Sequence, residues 1–270
     1  GSKFILTSHS PFIPETGIIR ALRYPIQLFK RLNFYLLRTA VIKADLLFTY
    51  SNFSKRLVKD GVNGEYNKEI KTISPGVDQS WLNVAIKKKD EFSDLLYFGR
   101  IEHEKGIDIL LKSFANVHQK FPSLKLHLIG EGNYLDYSKK LSKELNINSR
   151  TIFCGWKEKQ EIQKIMSGCD LCVLPSRIES FGLTIAESMA AGIPVISTTA
   201  GAIPEIMKDG ETGLLVPPDD IEALKIAIIY ALENRDKMQS RAKAAQEKVK
   251  KFFSWDSAAK KHIEIYKSLL

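Results

Sequence analysis

From Asp94 to the end of the chain, short apolar or β-branched runs alternate with segments of helical periodicity, and no other feature narrows the fold as much. Leu95 to Phe98, Leu126 to Ile129, Thr151 to Cys154, Leu171 to Leu174, Val195 to Ser197 and Gly213 to Val216 read as strands. Between the first two, Ile107, Leu110, Leu111, Phe114 and Phe121 recur at helical spacing. Further helices are predicted over Tyr134 to Leu145, Glu158 to Met166 and Leu183 to Ala191. Strands alternating with helices pair in parallel through crossovers, so the predicted class is α/β with a doubly wound parallel sheet. In such sheets ligands bind beyond the carboxyl ends of the strands, where loops meet helix N-termini.

The first third offers only three strands, Phe4 to Thr7, Leu46 to Thr49 and Lys71 to Ile73, which amounts to half a Rossmann-like domain. Between the first two lies a basic and apolar stretch, Ile18 to Ala44, interrupted by Pro25, which can open a helix but not sit inside one. The charged run Lys87 to Glu91 predicts a boundary there. The expected organisation is a partial N-terminal domain over 1–88, a second α/β domain over 89–252, and a helix over 253–270 packing back toward the first domain.

Charge divides along the same line. Residues 1–89 carry 15 Lys and Arg against 6 Asp and Glu, whereas residues 90–270 carry 25 of each, so the net charge of +9 resides in the first third. Such a face suits anionic lipid, an acidic acceptor or nucleic acid, or is an ordinary solvated basic surface. At 44% hydrophobic content, 270 residues can bury a sizeable core, which excludes disorder. No apolar run approaches the roughly 20 residues of a membrane helix and no signal pattern is recognised, so a soluble or peripheral protein is expected. Gly1-Ser2 reads as the scar of a cleaved tag, with residues upstream missing. Cys154, Cys169 and Cys172 follow no disulfide framework and are expected as reduced thiols in a cytosolic setting; the Cys169–Cys172 pair straddles a strand start rather than a helix N-terminus, so it reads as core.

The densest motif is Pro175-Ser176-Arg177-Ile178-Glu179-Ser180-Phe181-Gly182-Leu183-Thr184-Ile185-Ala186-Glu187, with two glutamates separated by seven residues. A strand ends at Leu174, a loop crosses Glu179 to Gly182, and a helix begins at Leu183. Gly182 lets the backbone approach a ligand closely, and the free amides of Leu183 and Thr184 suit a diphosphate. Glu187, one turn into the helix, is within reach of a ribose, and Glu179 on the loop can accept hydrogen bonds from sugar hydroxyls. Without that context the pair reads as two solvated carboxylates. After the first strand of the second domain, Phe98-Gly99-Arg100-Ile101-Glu102-His103-Glu104-Lys105-Gly106 places Arg100 and Lys105 on a strand-to-helix turn, where two cations would neutralise a diphosphate. Gly130-Glu131-Gly132 lacks the third glycine of a dinucleotide fingerprint and reads as a plain turn.

These segments, with Ala190-Ala191-Gly192-Ile193-Pro194-Val195 and Gly210-Glu211-Thr212-Gly213-Leu214-Leu215-Val216, resemble the retaining glycosyltransferases of GT-B fold, the glycosyl transferases group 1, over nearly all of residues 46–270. The resemblance implies a GT-B-like architecture with nucleotide-sugar binding in the second domain. It implies that Arg100 and Lys105 hold the donor phosphates, and that the turns at Gly130 and at Gly155-Trp156 meet the base. It also implies that His9, in Thr7-Ser8-His9-Ser10-Pro11, faces the transferred sugar; the family more often has an acid where Ser10 stands. Family members begin with about half a Rossmann unit more, including a glycine-rich loop. Truncation, a naturally short gene or a separate polypeptide would account for the difference.

The expected activity is transfer of a hexose from a UDP- or GDP-sugar to a glycan or lipid-linked acceptor, with retention and without a cofactor. No D-x-D pair is available to hold a divalent ion, so no metal is expected. Glu179 and His9 are the expected catalytic residues. The expected surroundings are cytoplasmic, with an anionic membrane face as a further partner and nucleic acid as none. The alternatives are a non-catalytic nucleotide-sugar-binding subunit and a nucleotide-sugar epimerase.

Overall fold

The parallel pairing expected from the alternating pattern is found throughout the computed structural model, which describes residues 5–8, 35–36, 38–63, 65–87 and 93–268. The chain divides into two compact units, Gly1–Ser74 and Pro75–Leu270. In the first, strands β1 (Ile5–Ser8), β2 (Leu46–Thr49) and β3 (Ile70–Thr72) form a parallel sheet in that order. All four residues of β2 are buried, and Val41, Leu47, Val58, Val62 and Ile70 make the core around it. The helix Asn52–Gly61 starts where the Ser51 hydroxyl accepts a hydrogen bond from the Ser54 amide at 3.0 Å.

The second unit holds six parallel strands: β4 (Asp94–Phe98), β5 (Lys125–Ile129), β6 (Thr151–Gly155), β7 (Leu171–Leu174), β8 (Val195–Thr198) and β9 (Leu214–Val216). They lie in the order β6-β5-β4-β7-β8-β9. Central strands β4 and β7 read as near-continuous apolar runs because helices cover both faces of the sheet. The helices Ile107–Lys120 and Ile221–Glu233 pack against each other, as do Leu183–Ala191 and Arg235–Phe252. Ala186, Ala190 and Ala191 are fully or nearly fully buried, and their small side chains suit close packing of the Leu183–Ala191 helix.

The division at Ser74–Pro75 falls before the boundary expected at residues 88–89. Residues 75–83 are bound to the second unit by main-chain and side-chain contacts: the Val77 amide donates to Phe253 O at 2.7 Å, and Trp81 is buried against Phe98 with ring centroids 5.8 Å apart. Lys87, the described residue of the lysine-rich run, is also tied to that unit, its amide donating to Ser167 O at 2.9 Å. The C-terminal helix, Trp255–Lys267, begins beside this segment, with Ser254 bridged to Val77. Cys169 and Cys172 are free and buried, and burial pushes the Cys172 thiol up to about 12.

Candidate active site at the switch point

Strand order runs outward from β4 to β6 on one side and from β7 to β9 on the other, so β4 and β7 flank the topological switch point. The loops leaving these neighbours carry the two motifs and are fastened together. Gly106 has φ 68°, and a Cβ there would lie 2.0 Å from Pro175 O, so glycine alone lets the loops approach. The Arg177 amide donates to Glu104 O at 2.8 Å. Its guanidinium donates to both carboxylate oxygens of Asp108 at 2.9 Å and to Asp219 Oδ1 at 2.6 Å. Burial alone would raise the Asp108 carboxyl, but the hydrogen bonds and charge of Arg177 bring it below its ordinary range. Burial likewise acts to lower Arg177, and its two carboxylate partners hold it above.

That frame brings Lys105 and Glu179 into contact, with Nζ donating to Oε2 at 2.7 Å and side chains only 18% and 12% exposed. The sequence assigns the two to different parts of a ligand; in the structure they form one pair. The Glu179 backbone is fixed as well, since its carbonyl accepts the Ala202 amide at 2.9 Å and a Cβ on Gly201 would lie 2.1 Å from the same oxygen. Glu179 also lies near the buried Tyr97 hydroxyl, which burial first and this carboxylate second push far above the ordinary range.

Gly182, at φ 96°, opens the helix Leu183–Ala191 with no side-chain cap, leaving first-turn amides without intrahelical acceptors. Leu183 is exposed and Thr184 half-buried at this start. Beside it is a cavity of about 350 Å³ on whose wall the structure brings together Arg100, Gly130, Trp156, Thr184 and Glu187. Gly182, Leu183, Lys105, Glu179 and Gly155 are not part of that wall. Arg100 is 67% exposed and pairs with Glu104 at 3.2 Å, whereas Lys105 pairs with Glu179. Gly130 can sit there only as glycine, since a Cβ would meet Gly99 O at 1.9 Å, and its amide donates to Gly155 O at 2.9 Å. Trp156 is 63% exposed, a broad apolar face at the cavity. Burial raises Glu187 to about 7, against the lowering influence of Trp81 and Lys159 and with Asp78 adding to the rise. His9 lies outside the described residues.

Two residues at this site escape a reading of the motifs. Arg177 stands inside the glutamate motif, but its partners Asp108 and Asp219 are distant in sequence. Trp81 stands in what reads as linker, and its only signal is a large aromatic four residues after Val77 in a segment without helical or strand periodicity.

A family model described as Glycosyl transferases group 1 matches residues 81–248, more than half of the chain. Glycogen synthase of Mycobacterium tuberculosis is 30% identical over 199 residues, covering 73% of this chain and 48% of that protein. The chain thus spans about half the length of the curated relatives it matches first. Sucrose-phosphate synthase of Thermosynechococcus elongatus superimposes with a TM-score of 0.83 at 26% identity, covering 99% of this chain and 68% of that one. A separately solved C-terminal domain of a glycosyl transferase group 1 protein from Francisella tularensis matches with a TM-score of 0.59 at 26% identity, over 66% of this chain and 99% of that one. By the extent of the family match and by its GT-B α/β fold, the chain belongs to the glycosyl transferases group 1 family.

Proposed function

We propose that this chain forms the donor-binding part of a retaining, metal-independent glycosyltransferase that takes a UDP- or GDP-sugar and passes the hexose to a glycan or lipid-linked acceptor. The observation that carries the reading is the meeting, at one switch point, of an uncapped helix start at Gly182, the Lys105–Glu179 pair, and a cavity with Glu187 on its wall. The helix amides, Lys105 and Arg100 offer positive charge for a diphosphate, Glu187 a carboxylate for two ribose hydroxyls, and the turn at Gly155-Trp156 a seat for the base. Glu179 orients the sugar, and His9 is the second catalytic residue of the proposal. The bond from the anomeric carbon to the diphosphate oxygen breaks with its electron pair leaving on that oxygen. The acceptor hydroxyl attacks the same face, and its proton passes to the departing diphosphate. Electrostatic stabilisation of that leaving group is the main catalytic contribution, and the lack of a D-x-D pair leaves it to Arg100, Lys105 and the amides.

Calorimetry with UDP, GDP and ADP, in chelator and in magnesium, tests the proposal. Binding of one of the three without metal is expected, weakened roughly tenfold or more in Lys105→Ala, the scale of a hydrogen bond to a charged group. Strict dependence on magnesium, or no affinity for any of the three, overturns it.

A further inference from the structure

The indole N–H of Trp81 is buried without an acceptor at hydrogen-bonding geometry, although it approaches Glu187 closely enough to favour that residue's carboxylate. A buried, unpaired donor is costly, and one beside a ligand cavity invites a functional explanation. Trp81 and Glu187 both line the cavity of about 350 Å³. We propose that Trp81 is a positioning residue of the donor site, its indole N–H favouring the ionised Glu187 carboxylate and turning it toward the ribose of the incoming nucleotide.

The setting of Trp81 supports this role. The ring stacks on Phe98, at the end of β4, with an interplanar angle of 27°. Its short 3-10 turn, Gln79–Asn83, packs on the helix that carries Glu187. The turn is itself fastened from a third direction: the Ser80 amide donates to Asp78 Oδ1 at 2.8 Å, Lys159 Nζ to Asp78 Oδ2 at 2.9 Å, and Gln163 Nε2 to Ser80 Oγ at 3.0 Å. The ring therefore has little freedom to turn its N–H elsewhere. The charged groups around Glu187 are Lys159 from the helix Lys159–Met166, Asp78 from the turn, and Arg100, Glu131 and Lys157 on the cavity wall. Lys159 is already engaged with Asp78, whereas the buried indole N–H has no partner of its own.

Ribose hydroxyls donate to an ionised carboxylate but gain less from a protonated one. With Glu187 at about 7 in the free protein, nucleotide binding should release a proton near neutrality. Trp81→Phe keeps an aromatic ring against Phe98 and removes the donor together with part of the indole volume, for which the pH 8.5 and pyrophosphate measurements control. Because the inference rests on the proposed donor site, the experiment compares UDP with inorganic pyrophosphate, which has phosphates but no ribose. It uses the full chain, with GDP and ADP in parallel, at pH 6.5 and pH 8.5 in buffers of different ionisation enthalpy.

The expected result is that Trp81→Phe weakens the bound nucleotide about fivefold or more at pH 6.5 and under about twofold at pH 8.5, as a modest upward shift of one carboxyl would. Pyrophosphate affinity should be unchanged, and the ribose-dependent proton release should vanish in Glu187→Gln. Equal weakening at both pH values, or equal weakening of pyrophosphate, overturns the positioning role. Failure of the wild-type protein to bind any of the three nucleotides overturns the donor site itself and so separates the two claims.

Discussion

Glu187 is held in a place that costs stability, which is common where a charged group is reserved for a ligand. Its carboxyl stands at about 7 in the folded chain against an ordinary 4.5. The folded state therefore binds the proton more tightly than the unfolded state, and stability should fall as pH rises from about 4.5 to 7 and stay lower above that. Glu187→Gln removes the penalty: urea denaturation should find the variant more stable at pH 8 by on the order of 2 to 3 kcal/mol and nearly equal at pH 5. The same gain at both pH values would place the effect elsewhere. The sequence makes Glu187 and its spacing from Glu179 legible, since a strand, a glycine and a helix start fix their surroundings. It does not make the Lys105–Glu179 contact legible, because that pair spans 74 positions and depends on how two loops meet. Trp81 is illegible for a related reason: its neighbours Phe98 and Glu187 belong to different elements, and no local pattern announces them.

At the scale of elements, buried strands are read most sharply. The predicted bounds of β2 and β7 coincide with those observed, and every residue of each is buried. Edges drift by a residue where a polar or small residue joins the ladder, as Asp94 does in β4 and Gly155 in β6. The join between loops is different in kind. Arg177 ties the loop after β7 to the helix after β4 through Asp108, with side chains 15% and 9% exposed. Removing one partner of such a buried pair strands the other charge, which typically costs about 3 to 5 kcal/mol, whereas removing both costs much less. Arg177→Met should therefore lower unfolding stability by about 3 kcal/mol, and Asp108→Asn on that background should restore part of it. A purely additive double variant would mean that the clamp contributes through packing alone.

On the scale of the molecule, charge and donor chemistry separate along the division at Ser74–Pro75. Residues 1–74 carry 12 Lys and Arg against 5 Asp and Glu, and residues 75–270 carry 28 against 26. The strongly basic unit is thus not the one with the cavity. Among the described residues no helix is long and apolar enough to cross a membrane. Each Lys or Arg near an anionic surface contributes about 1 kcal/mol, so a handful suffices for salt-sensitive attachment. Of the basic residues in the stretch Ile18 to Ala44, Arg38 and Lys43 are described; Arg38 is paired with Glu65, Leu36 near it is 55% exposed, and Arg20, Arg23, Lys30 and Arg31 lie outside the described residues. The second unit has its own six-stranded sheet and core, and residues 75–83 belong to it. Residues 75–270 produced alone should therefore unfold cooperatively and bind the preferred nucleoside diphosphate within about threefold of the full chain, a difference of well under 1.4 kcal/mol. The same piece should not sediment with anionic vesicles, whereas the full chain should do so at low salt and lose the association at high salt. Vesicle binding retained by residues 75–270 would assign the membrane surface to the wrong unit. Loss of nucleotide binding in that piece would mean that residues before Pro75 complete the donor site.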